Sequence, residues 1–113
     1  MLIAVAGPYS APSADQRKRN LDAMNHAAAE VFRRGHIPVI GVNAALPVME
    51  MLETGDPYEA MMKISLAVVG VCDAILMIGQ SPGANREKDL LISKGRTVFW
   101  KLDDIPIADE NVS

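Results

Sequence analysis

Apolar residues recur along this chain in two rhythms, and their alternation predicts the fold. Leu2-Ile3-Ala4-Val5-Ala6 is an unbroken apolar run, as a strand buried on both faces requires. After a loop over residues 7–13, Leu21, Met24, Ala27, Ala28, Val31 and Phe32 return at the spacing of one helical face. The helix they predict starts at a cap on Ser13 or Asp15 and runs to about Arg34. Gly35 stops it, and Arg33 and Arg34 suit the negative end of its dipole. Ile37-Pro38-Val39-Ile40-Gly41-Val42 predicts a second strand, at an edge because Pro38 has no N–H for a ladder.

Residues 43–56 have mixed character, with Leu46, Pro47, Met49, Met51 and Leu52, and read either as a short helix or as a flexible lid. Asp56 caps and Pro57 opens a helix reaching about Gly70. It is apolar on more than one face, so it is deeply buried or shared with a second subunit. Its methionines suit adaptable packing, in the core and at a dimer contact. Residues 73–78 predict a third strand, residues 82–94 a helix stopped by Gly95, and Thr97-Val98-Phe99-Trp100 a fourth strand. Residues 101–113 are acidic and loosely patterned, with Ser113 near a frayed end.

Strands alternating with helices predict an α/β domain spanning residues 1–113, built on a mostly parallel, helix-flanked sheet. Right-handed crossovers then set the first and third strands side by side at the switch point. The turns at residues 7–10 and 79–83 flank one crevice there. The second turn, Gly79-Gln80-Ser81-Pro82-Gly83, leads into a helix N-terminus whose unpaired N–H groups suit an anion. Ser81 is its N-cap, Pro82 its first residue, and Gly83 allows a ligand close to the backbone. Glu87, about one turn in, can turn its carboxylate into the same crevice or simply complement the dipole. Two glycine-bearing turns that meet favour a phosphate or sugar site over either turn alone.

Charge and composition narrow the choice of ligand. A net charge of −3 argues against a nucleic-acid polymer as partner. Two Phe, two Tyr and one Trp also leave little for base-stacking platforms. Cys72, the only cysteine, reads as a buried thiol in a reducing compartment. Neither His26 nor His36 is tied to it, both read as structural or exposed, and no metal-ligand spacing occurs. No metal and no cofactor are expected. The apolar start is short and lacks a basic leader, and no apolar run could span a membrane, which places the chain in the cytoplasm.

Certain motifs also carry a family likeness. Ala6-Gly7-Pro8-Tyr9, Arg17, Asn20, Arg34-Gly35-His36-Ile37-Pro38-Val39, Cys72-Asp73-Ala74 and Ser81-x-Gly83-Ala84-x-x-Glu87 together resemble the nucleoside 2-deoxyribosyltransferase-like superfamily, nearest its small uncharacterised branch. The likeness covers roughly residues 2–100. It implies a three-layer Rossmann-like (flavodoxin-like) parallel sheet of four to five strands flanked by helices, in a homodimer or higher oligomer. It also implies that Glu87 is a nucleophile toward the anomeric carbon of a nucleoside or nucleoside 5′-monophosphate, leading to N-glycoside hydrolysis or (deoxy)ribosyl transfer. Ser81 would contact phosphate, and the first-strand turn at Gly7, Pro8 and Tyr9 would contribute further donors, beside the close backbone approach at Gly83. The Tyr9 ring either packs against a ribose or base or lids the core. Arg17 is a candidate anion clamp and Asn43 a candidate for base recognition. Members with established activity carry a second acid near the position of Ser65, and a serine cannot protonate a leaving base as a carboxylic acid would. Asp56, Glu59 and Asp73 are the carboxylates available to replace it, although Asp73 is also placed to cap the third strand. A nucleotide-binding or sensing module without turnover, and a purely structural dimerisation domain, are the alternatives.

Overall fold

The computed structural model describes residues 1–108. The elements are β1 (Leu2–Ala6), α1 (Ala14–Arg33), β2 (Ile37–Val39), α2 (Gly41–Met49), α3 (Pro57–Val69), β3 (Ala74–Met77), α4 (Pro82–Ser93) and β4 (Thr97–Phe99), followed by a 3-10 turn at Leu102–Asp104. The strands form one parallel sheet in the order β2-β1-β3-β4. This is a three-layer α/β fold of the Rossmann or flavodoxin-like kind, with its switch point between β1 and β3.

Strand alternation divides the core into two layers. Ile3 and Val5 on β1 and Leu76 on β3 face one side, packing with Met24, Ala28 and Val31 of α1, Val42 of α2, and Ile105. Ala4, Ala6, Ile75 and Met77 face the other, packing with Val69, Cys72, Ala84 and Leu91 around α3 and α4. The caps lie where local chemistry demands. Ser13, Asp56 and Ser81 accept from the backbone N–H groups of Gln16, Glu59 and Ala84. Gly35 and Gly95 end α1 and α4 with φ of 89° and 73°, a region that glycine enters freely.

Two expected elements differ. The second strand stops at Val39 and not at Val42, because the chain turns at Ile40 and begins α2 at Gly41. A short apolar run has no period long enough to separate strand from helix, and β2 pairs only with Leu2, Ile3 and Ala4. The edge position of the Pro38 strand holds, as β2 is the outermost strand on its side. The segment after β4 is also less loose than its composition predicts. Ile105 is 1% exposed in the core. The Arg34 guanidinium donates to the Ile105 carbonyl at 2.9 Å, the Ala108 N–H to the Arg34 carbonyl at 2.8 Å, and His36 pairs with the Pro106 carbonyl at 2.6 Å. His36 is thus a buried structural residue, and His26 is exposed. The expectation for Ser113 lies outside the described residues.

Candidate active site

At the carboxyl ends of β1 and β3 the two turns converge. Gly7 and Gly79 are glycines for a steric reason. A Cβ on Gly7 would stand 2.7 Å from Ile78 Cγ1, and one on Gly79 would stand 2.8 Å from Pro8 Cδ. Between these turns and the helices α3 and α4 lies a cavity of about 360 Å³. Gly7, Tyr9 and Ser10 line it from the first turn, Ser81, Gly83 and Glu87 from α4, and Val42, Tyr58, Met61 and Met62 from α2 and α3. A cavity of this size and character fits a small ligand.

Among the described residues Glu87 is the only charged one in that lining. It sits on α4 in register with Ala84 and Leu91, which face the core, so the helix carries its carboxylate inward. The residue is 5% exposed. The Ser65 hydroxyl on α3 donates to its Oε1 at 2.8 Å. Burial pushes the Glu87 carboxyl up to about 7, opposed by the Ser65 bond, which favours the ionised form. The carboxyl is therefore poised near neutrality, where one group can serve as base, acid or nucleophile.

Ser65 is held as tightly as its partner. It is fully buried, and a Cβ on Gly41 would lie 2.1 Å from its Oγ. The backbone at the start of α2 thus rests directly on the Ser65–Glu87 pair. No side chain but hydrogen leaves room for that contact.

Around the pair, the other residues singled out in the sequence separate. Tyr9, Gly7, Ser81 and Gly83 share the cavity with Glu87. Ser81 uses an acceptor site for its cap, which leaves its O–H to point elsewhere. A Cβ on Gly83 would come 3.2 Å from Met62 Sδ, so glycine lets the first turn of α4 close against α3. Pro8 does not line the cavity; it is exposed, and its ring packs over Gly79. Asn43 is not at a strand end. It lies in the first turn of α2, exposed, donating to Asn25 Oδ1 on α1 at 2.8 Å, and its neighbour Val42 reaches the cavity instead. Arg17 lines an adjoining cavity of about 300 Å³, and its Nη1 donates to the Ala11 carbonyl at 2.7 Å.

None of the three carboxylates considered as a second acid lines the cavity. Asp56 caps α3. Glu59 is paired at 2.6 Å with Arg86, which holds its carboxyl below the usual range. Asp73 accepts from the Leu2 N–H at 2.8 Å, at the opposite end of the strands. Among the described residues no group of three His, Cys, Asp or Glu could hold a metal ion. Cys72 is buried, and burial raises its thiol pKa, which makes it a packing residue.

Three roles escaped the sequence reading. Tyr58, in the first turn of α3, forms a cavity wall and lies 5.8 Å below the Arg86 guanidinium. Asn20 donates to the Tyr9 carbonyl at 2.9 Å and so fixes the first turn. Ser65 is the direct partner of Glu87; the sequence marks it as a lone hydroxyl within an apolar helical run, near the position of the second acid in the resembled superfamily, but not as a contact of Glu87.

Residues 1–100 match the family described as a domain of unknown function, DUF4406, and the chain belongs to that family. A search of curated proteins found none that matches. No helix among the described residues is long and apolar enough to cross a membrane.

Proposed function

We propose that this DUF4406 chain cleaves or transfers the N-glycosidic bond of a nucleoside or nucleoside 5′-monophosphate, with Glu87 as the nucleophile. The observation that carries the proposal is the buried Glu87 carboxyl, held by Ser65 on the wall of the cavity between two strand-end turns. A carboxylate in a site with few other polar groups stabilises an oxocarbenium-like centre strongly, because little else screens the charge. Its oxygen bonds to the anomeric carbon as the C1′–N bond breaks, and water or a second base then opens the glycosyl ester. Gly7, Tyr9 and Gly83 shape the sugar pocket, and the Ser81 hydroxyl at the start of α4 suits a 5′-phosphate. No metal or cofactor enters this scheme. In the same proposal the chain acts in the cytoplasm as a homodimer or higher oligomer. Exposed Val48, Met51 and Leu52 at the end of α2 offer an apolar contact for it.

Base release measured by chromatography across a nucleoside and nucleotide panel tests this. Glu87→Ala is expected to reduce release at least ~1,000-fold, the scale of losing a covalent catalyst, with the circular dichroism spectrum unchanged. Release that survives in that variant would overturn the assignment. The second reading, a nucleotide-binding module without turnover, is favoured by the lack of a second carboxylate in the cavity lining among the described residues. It expects a melting-temperature rise with nucleotide and no free base.

A further inference from the structure

Beside the Glu87 cavity lies the second one, and Tyr9, Ser10, Tyr58 and Met61 line both. The two spaces therefore adjoin along a common wall that carries two aromatic rings. Their charges are opposite. Among the described residues Glu87 is the only charged one of the first lining and Arg17 the only charged one of the second. The rest of the second lining is Leu46, Met49 and Pro57, an apolar surface suited to a flat ring. Arg17 is half-buried on α1. Its Nη1 is anchored on the Ala11 carbonyl at 2.7 Å, with a longer approach to the Pro12 carbonyl at 3.4 Å. Its Nη2 and Nε donors have no partner among the described residues, and a guanidinium presents its donors in a fixed fork.

Resting on the glycosidic reading of Glu87, we propose that the second cavity holds the departing base and that Arg17 carries its charge. Among the described residues no carboxylic acid besides Glu87 lines either cavity to protonate the leaving nitrogen, and Glu87 is committed to the anomeric carbon. The base therefore leaves without a proton. The Glu87 oxygen–C1′ bond forms, the C1′–N bond breaks, and its electron pair passes into the ring and onto an exocyclic oxygen. That oxygen accepts a hydrogen bond from the Arg17 guanidinium, which keeps its own protons. Water then forms the new C1′–O bond as the ester bond to Glu87 breaks, and one water proton returns to the base anion. A guanidinium only donates, so it stabilises this charge in particular where the ring bears an exocyclic carbonyl oxygen. The substrate class is thus a nucleoside or nucleotide with an oxo-base, such as uracil, cytosine or hypoxanthine, in preference to adenine, which has no exocyclic oxygen.

The test compares release of these four bases from their nucleosides and 5′-monophosphates by the wild type, Arg17→Ala and Arg17→Lys, with Glu87→Ala as control. The expected result is an oxo-base preference of at least ~10-fold in the wild type, the scale of one charge-assisted hydrogen bond. Arg17→Ala should abolish that preference by slowing the oxo-bases, and Arg17→Lys should restore part of it. Arg17 also anchors the loop at Ala11, so a merely structural role would slow all four bases alike, and that outcome overturns the proposal. So does a wild type with no oxo-base preference. Release that needs Glu87 but ignores Arg17 overturns this inference and leaves the glycosidic reading standing. Release that does not need Glu87, or no release from any substrate, overturns both.

Discussion

Glu87 joins two effects that pull apart at the level of a single side chain. Burial disfavours its charged form, and the Ser65 hydroxyl favours it, with burial dominant. In its proposed role as nucleophile Glu87 must be ionised, so base release should rise with pH through about 7 and level off above it. Ser65→Ala removes the one stabilising bond and should shift that rise to higher pH, read from kcat/KM against pH. The same shift has a consequence for folding. The folded-state pKa lies above the ordinary value of 4.5, so the native protein binds the Glu87 proton more tightly than the unfolded chain. This contribution to stability is full below about 4.5 and is lost as pH rises through about 7. The lost amount is about 3 kcal/mol, as each pKa unit corresponds to about 1.4 kcal/mol. Glu87→Gln, neutral at every pH, should therefore gain stability relative to the wild type by about that much between pH 4 and pH 8. Urea denaturation at both pH values measures it; a gap that stays constant with pH would contradict the assigned shift.

Among the elements, α2 decides how firmly the pair is held. Its first residue, Gly41, meets Ser65 with no space for a methyl group, and a Cβ at Gly41 would stand only 3.1 Å from the Ser65 Cα. Relief cannot come from a flexible side-chain tip alone, because serine is short and its Cα belongs to α3. Gly41→Ala should accordingly cost about 1–3 kcal/mol by overpacking. It should also raise the pKa governing base release, since displaced Ser65 no longer reaches Glu87. Thermal denaturation and the pH profile give the two readouts. A stable variant with an unchanged profile would mean that α2 shifts freely.

For the molecule as a whole, the segment after β4 completes one side of the sheet. Ile105 packs with β1, β3 and α1, while Arg34 and His36 bind the carbonyls of Ile105 and Pro106. The matched family region ends at residue 100, before this closure. Ile105→Ala should cost about 2–5 kcal/mol, the usual loss for a large buried aliphatic side chain. The Ser65–Glu87 pair lies on the other layer's helices, so kcat per folded molecule should change little. Denaturant titration and active-site-normalised turnover separate the two effects.

Much of this architecture was legible in the chain because it depends on neighbours in sequence. Caps at Ser13, Asp56 and Ser81, stops at Gly35 and Gly95, and the strand–helix alternation follow from local hydrogen bonding and from the period of apolar residues. The handedness rule then carried this local information to the β1–β3 switch point and its converging turns. Contacts between distant segments were beyond that reach. Nothing near Ser65 in sequence marks it as the partner of Glu87, 22 residues away. The end of β2, the course of Asn43 and the burial of Ile105 were likewise set by packing, where a short apolar run is equally consistent with strand, helix or plug. Sequence alone thus determined the alternation of strands and helices and which end of the sheet is open. Tertiary structure decided which side chains meet there, because the burial and hydrogen bonding that tune a carboxylate come from helices separate in the chain.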